Sequence, residues 1–195
     1  MEYFVTGATG FIGTHLVERL VSDGHHVTAL TRDRWNADHL PDAVTVAEGD
    51  ITDKETMRDA MAGADGVFHL AAWFQIGPGP WNAERARRIN VDGTRNVLEL
   101  LDELDVPNGV YVSTVGVYGH TGGEYVDESY RSPRSFPSVY QRTKWDAHYE
   151  VAEPMMDDGL PLVVASLGAI YGPGDKSYGG TPRTGFQGLL RGDLP

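Results

Sequence analysis

Short runs of apolar, β-favouring residues return along the chain at a steady interval: Tyr3 to Thr6, Val27 to Leu30, Val44 to Ala47, Gly66 to Ala72, Val110 to Ser113 and Leu162 to Leu167. Most are separated by stretches with helical periodicity. Ile12, Leu16 and Leu20 fall on one helical face, and Val97, Leu100, Leu101 and Leu104 on another within the segment from Ala83 to Leu104. Near-continuous apolar strands belong to parallel sheets covered on both faces, and their alternation with helices gives βαβ units. The pattern predicts an α/β fold, a doubly wound parallel sheet of the Rossmann type in three α/β/α layers, as one domain over residues 1–195. Two loops, 73–82 and 172–185, are dense in Gly and Pro. Each follows a predicted strand and so lies at the carboxyl edge of the sheet, where open α/β proteins bind ligands. A plain surface connection is the alternative for each.

The first strand runs into Thr6-Gly7-Ala8-Thr9-Gly10-Phe11-Ile12-Gly13, with glycines three apart, and a helix follows. Glycines there permit a tight turn, let backbone N–H groups approach a pyrophosphate and pack the helix on the sheet, while the helix N-terminus adds partial positive charge. Gly7, Thr9, Gly10, Phe11, Ile12 and Gly13 are therefore candidate dinucleotide contacts. The second strand ends Ala29-Leu30-Thr31-Arg32-Asp33. With Thr31 in the strand-end slot, the carboxylate that would hold the ribose hydroxyls of NAD is absent and Arg32 suits a 2′-phosphate, favouring NADP over NAD. A shift of register by one or two places would bring Asp33 into that slot and restore NAD. Asp50, with Ile51 beside it, either faces the adenine amino group or is a simple turn residue.

Tyr140-Gln141-Arg142-Thr143-Lys144 places a phenol and an ammonium four residues apart, on one face of a helix. A free phenol ionises near pH 10; a nearby Lys⁺ is expected to lower that value, as a general acid/base beside a carbonyl requires. Ser113 and Thr114, at the end of the fifth strand, supply hydroxyls able to bond a substrate oxygen, and one of them is expected only to cap the strand.

Taken together, these features make the chain resemble the extended short-chain dehydrogenases/reductases of the NAD(P)-dependent epimerase/dehydratase family. The resemblance rests on the glycine loop, Gly49-Asp50, Phe68-His69-Leu70-Ala71-Ala72, Asn90-Val91-Asp92-Gly93-Thr94-Arg95-Asn96, Ser113-Thr114 with Val117-Tyr118-Gly119, Tyr140 with Lys144, and Tyr171-Gly172-Pro173, in family order along nearly the whole chain. It implies hydride transfer between a nicotinamide and a carbonyl, alcohol or sugar, as net oxidoreduction or as epimerisation or dehydration. By position, Thr114 matches the catalytic hydroxyl, Tyr140 the acid/base and Lys144 its partner, which also holds the nicotinamide ribose. Leu70, Ala71, Ala72 and Leu167 would line the cofactor groove, and Asn90 would support it from its helix. A homodimer through the Asn90 and Tyr140 helices is a further implication. The chain departs from the pattern at Ser166 and Ala169, where nucleotide-sugar members carry Arg and Asn; the change favours a less polar substrate. By the same resemblance, with Pro195 as the last residue, residues 174–195 would only begin the substrate-binding region and the C-terminal substrate domain would be largely absent. Two other readings stand beside the enzyme: a non-catalytic dinucleotide sensor or interaction module, and a truncated fragment of a longer enzyme.

Composition narrows the rest. With 16 Lys plus Arg against 28 Asp plus Glu, the net charge of -12 argues against a nucleic-acid partner. Lys occurs only at 54, 144 and 176. Such an acidic, Lys-poor surface suits a salt-rich cytoplasm or an ordinary acidic protein. No Cys is present, which removes disulfides, Cys-bound zinc and a thiol nucleophile. The seven His show no metal-ligand spacing, so no metal is expected and they read as structural or surface residues. Trp73, Trp81 and Trp145 either wall a pocket or pack in the core. No apolar stretch approaches the roughly 18 residues of a membrane span, and a cytoplasmic location is the default.

Overall fold

A computed structural model describes residues 1–74, 80–132, 134–175 and 182–193. Six parallel strands, β1 (Glu2–Thr6), β2 (His26–Thr31), β3 (Thr45–Glu48), β4 (Gly66–His69), β5 (Gly109–Thr114) and β6 (Leu162–Leu167), form one sheet in the order β3-β2-β1-β4-β5-β6. The order reverses between β1 and β4, which pair from Tyr3 with Gly66 to Thr6 with His69. That reversal opens a crevice at the carboxyl edge because the connections leave β1 and β4 toward opposite sides.

Adjacent residues of β1 show why both faces must be covered. Phe4 and Val5 are each fully buried, and the pleat sends them into different cores. Val5 joins Val17 and Leu20 of α1 (Phe11–Ser22) with Val27 and Ala29. Phe4 joins Met57 and Met61 of α2 (Glu55–Met61), Leu98 and Leu101 of α4 (Gly93–Glu103), and Ala147 of α5 (Val139–Ala147). The expected doubly wound, three-layer Rossmann arrangement is what forms.

Two local differences matter for the site. The fourth strand stops at His69, so Leu70, Ala71 and Ala72 leave the sheet and cross the glycine loop. The helix read from 83 to 104 is interrupted: α3 (Pro80–Arg87) passes through a π-helical turn at Arg88–Asp92 before α4. A second π turn, His148–Ala152, joins α5 to α6 (Glu153–Asp157), and α7 (Pro182–Arg191) follows β6. A π turn holds one residue more than an α turn and re-aims the side chains around it, an arrangement frequent at functional sites.

Candidate active site

The glycine loop becomes a cradle through close backbone approach. Gly7 has φ +74°, and a Cβ there would meet the Ala71 nitrogen at 2.6 Å; one on Gly13 would meet the Gly7 carbonyl oxygen at 2.0 Å. Both contacts require glycine. Gly10 caps α1 without any side-chain hydrogen bond, and no acidic residue sits in the first turn. The first amides of a twelve-residue helix thus face the crevice with their partial positive charge uncompensated, an arrangement that fits a pyrophosphate.

Two adjoining clefts meet over this cradle and share Gly7, Gly10, Leu70 and Ala72. The first, about 290 Å³, is lined by Gly7, Thr9 and Gly10, by Arg32, by Asp50 and Ile51, and by Leu70, Ala71 and Ala72. The second, about 670 Å³, takes in Phe11, Ile12, Gly13, Ser113, Thr114, Tyr140, Lys144 and Leu167. Almost every candidate read from the sequence therefore lines one cleft or the other. Two do not. Asp33 turns its carboxylate back to accept from the Trp35 amide at 3.0 Å, capping a short helical turn, and Arg32 alone of that pair borders the cleft. Asn90 is 1% exposed and lies behind the wall, where its side chain bonds both backbone groups of Trp73, at 2.7 and 3.0 Å, and donates to Thr143 Oγ1 at 3.0 Å. It braces the Trp73 backbone and the Thr143 hydroxyl from behind the first cleft. Asp50 is a turn residue, its Oδ1 accepting from the amide and hydroxyl of Thr52, each at 2.9 Å, and it borders the first cleft.

Ser138 starts α5 by accepting from the Gln141 amide at 3.1 Å, and this sets the face on which Tyr140 and Lys144 stand. Lys144 is 2% exposed and donates to Tyr111 Oη and to the Val112 carbonyl, both at 2.8 Å. Burial holds its ammonium down to about 7. Tyr140 meets Phe74 edge to face at 4.8 Å, and burial pushes its phenol above the usual value. The lowered phenol expected from a neighbouring Lys⁺ is thus not what the geometry gives: the ammonium is drawn onto Tyr111 and Val112, and desolvation of Tyr140 decides the sign. A phenol in this state keeps its proton at neutral pH and suits the acid role. Thr114 Oγ1 accepts from the Gly116 amide at 3.1 Å, so its own proton remains to be donated into the pocket. Ser113, 3% exposed, has its Oγ 2.9 Å from His148 Nδ1. Thr114 caps the following turn, yet it is also the better placed hydroxyl.

A buried polar string that no sequence motif announces runs from the wall of the first cleft to Asn90. The Ala71 amide donates to Thr6 Oγ1 at 3.3 Å, and that hydroxyl lies 2.7 Å from His69 Nδ1. On the other side His69 Nε2 is 3.0 Å from Thr94 Oγ1, which donates to the Asn90 carbonyl at 2.7 Å. These polarities assign the Nε2–H tautomer, and burial holds His69 neutral, down to about 3. The family-order motifs contained both residues; only their pairing was hidden. Trp73 and Arg85 border the first cleft and Phe74, Ala169 and Ile170 the second. Trp145 packs instead with Phe136 and Tyr149, under Arg134. Of the two Gly/Pro-rich loops, residues 75–79 and 176–181 lie outside the described residues, as does the side chain of Trp81. Among the described residues there is no group of His, Asp or Glu that could hold a metal ion, and no helix long and apolar enough to cross a membrane.

Residues 3–188 match the NAD dependent epimerase/dehydratase family. The chain belongs to that family. Among its relatives, sterol demethylase protein B of Methylococcus capsulatus is 32% identical over 177 residues, covering 90% of this chain and 53% of that protein. The 3-beta-hydroxysteroid dehydrogenase of Mycolicibacterium neoaurum is 31% identical over 197 residues, covering 97% and 52%. The UDP-glucose 4-epimerase of Thermus thermophilus, solved in complex with NAD, superposes with a TM-score of 0.78 at 29% identity over 92% of this chain and 59% of that one. This epimerase/dehydratase-family chain thus spans about half the length of the curated relatives it matches.

Proposed function

We propose that this family member binds NADP(H) and reduces, or in reverse oxidises, a small apolar ketone or alcohol. The observation that carries the reading is the convergence of the Thr114 hydroxyl, the Tyr140 phenol and the Lys144 ammonium on one pocket continuous with the glycine cradle. When bound, the nicotinamide supplies or accepts the hydride at the substrate carbon. The chain's own residues do the rest. Thr114 donates a hydrogen bond to the substrate oxygen and holds it; Tyr140, protonated at neutral pH, gives its proton to that oxygen as the carbon–hydrogen bond forms. Lys144 then faces a phenolate and stabilises it until a proton returns from solvent.

Apolar chemistry is supported by Phe74, Leu70, Ile12, Leu167, Ala169 and Ile170 around these three groups, and it agrees with the sterol and steroid named in two relatives. The preference for NADP is supported by Arg32, with Arg85 as a second guanidinium bordering the same cleft, and by Asp33 being committed to its cap. Fluorescence titration with NADPH and NADH tests the cofactor half: Arg32→Ala should weaken NADPH about tenfold and leave NADH unchanged, consistent with loss of one charged hydrogen bond. Failure of wild type to bind either would remove the reading. Tyr140→Phe tests the chemical half, with turnover lost and NADPH affinity kept.

A further inference from the structure

α5 gives way to the π turn at His148–Ala152, and the residue that opens this turn points back toward the site. His148 is buried, with its ring 4.4 Å from that of Tyr149 and Nδ1 2.9 Å from Ser113 Oγ. Ser113 stands two residues from Tyr111 on the same face of β5, and the phenol of Tyr111 interacts with the side chains of both Thr94 and Ser113 and lies stacked on His69 at 5.6 Å. Tyr111 Oη receives Lys144 Nζ at 2.8 Å. Lys144 is therefore braced from behind by a string that begins at His148. An ammonium has three protons at tetrahedral angles; once Tyr111 Oη and the Val112 carbonyl take two, the direction of the third is fixed.

We propose that His148 is a positioning residue for Lys144: through Ser113 it holds the Tyr111 hydroxyl where that oxygen captures Nζ, and so aims the remaining Lys144 proton into the pocket. The catalytic consequence rests on the roles given above to Tyr140 and Lys144; the bracing itself is a property of the fold. The ring must be neutral to serve, since an imidazolium would oppose the ammonium it supports. Burial holds it there, down to about 4, with Lys144 on its own helix and Arg131 from the preceding loop acting in the same direction. Ser113 and Tyr111 face it from β5 and Tyr149 flanks it. Around Lys144 stand His69 from β4, Tyr111 from β5, and Tyr140 and His148 from its own helical run.

With Lys only at 54, 144 and 176, spectra of the full chain carrying ¹³Cε-lysine resolve the Lys144 titration directly. Wild type should show a midpoint near 7. His148→Phe keeps a ring beside Tyr149 but loses the bond to Ser113, and the midpoint should fall by about half a unit or more as the ammonium loses part of its support. His148→Asn carries an amide where Nδ1 stood and should restore the wild-type midpoint. Ser113→Ala cuts the string at its middle and should reproduce the fall, which decides the matter if His148→Phe does not fold. An unchanged midpoint in Ser113→Ala, or a His148→Asn midpoint displaced as far as that of His148→Phe, would overturn the proposal. An NADPH titration on the same samples separates the two readings, because a wild type that fails to bind NADPH removes the proposed function while the lysine titration still reports on the brace.

Discussion

Lys144 is a cation 2% exposed whose proton is held more loosely in the folded chain, at about 7, than at its ordinary 10.5. Between those values the unfolded chain binds the proton and the folded chain does not. Stability from this group therefore rises as pH climbs from 7 toward 10.5, and the full burial cost is carried below 7. Lys144→Met keeps the stem and removes the charge, so its melting temperature at pH 6 should exceed that of wild type by about 2–4 °C while turnover is lost. A lower value would mean that the bonds to Tyr111 and Val112 outweigh desolvation. His69 and His148 titrate lower in the fold, at about 3 and 4, than their ordinary 6.5. What they contribute is present above 6.5 and is lost as pH falls toward those values. Unfolding at pH 5 should accordingly take up about two protons, read from the slope of urea stability against pH; a slope near zero would contradict the buried neutral rings. Tyr140 and Lys144 were legible because a helix brings residues four apart together. Tyr111 and His148 were not, because their partners lie 33 and 35 residues away.

The glycine loop could be read almost completely because its requirement is local: a strand, a turn that only Gly7 can make, and a helix. The opposite wall at Leu70, Ala71 and Ala72 follows from the resemblance, but its cause does not: β4 stops three residues short of the apolar run, so that Ala71 presses on Gly7. Gly13→Ala places a methyl carbon against the Gly7 carbonyl, with no flexible side chain to yield. It should cost about 1–3 kcal/mol in denaturant unfolding and abolish NADPH binding. The π turn at Arg88–Asp92 escaped notice because the apolar rhythm from Ala83 to Leu104 continues across it. Its effect is a rotation that brings Asn90 onto the Trp73 backbone and Thr143. Asn90→Ala should therefore raise the KM for NADPH and lower kcat together, whereas a change in neither would leave Asn90 a packing residue only. The second strand ends at Thr31, Arg32 borders the cleft, and Asp33 is drawn away by its bond to the Trp35 amide.

A net charge of -12 sets the chain against itself at low salt. Part of the acid is already answered: Lys54 pairs with Glu99 and Glu103, and Arg58 with Glu55 and Glu103, tying α2 to α4. A urea midpoint that rises from low salt into molar KCl would mark self-repulsion as a live cost, and an indifferent midpoint would set aside a salt-adapted surface. The strand order carries a different consequence, one of timing. β1 brings the glycine loop, but its neighbour β4 and the wall at Leu70–Ala72 are made only after some 63 further residues, the separation between Thr6 and His69. Until that long loop has closed, no cradle exists for a dinucleotide to recognise. The ligand is thus a latecomer to folding: it should leave the refolding rate of the chain untouched and act wholly as a brake on its coming apart.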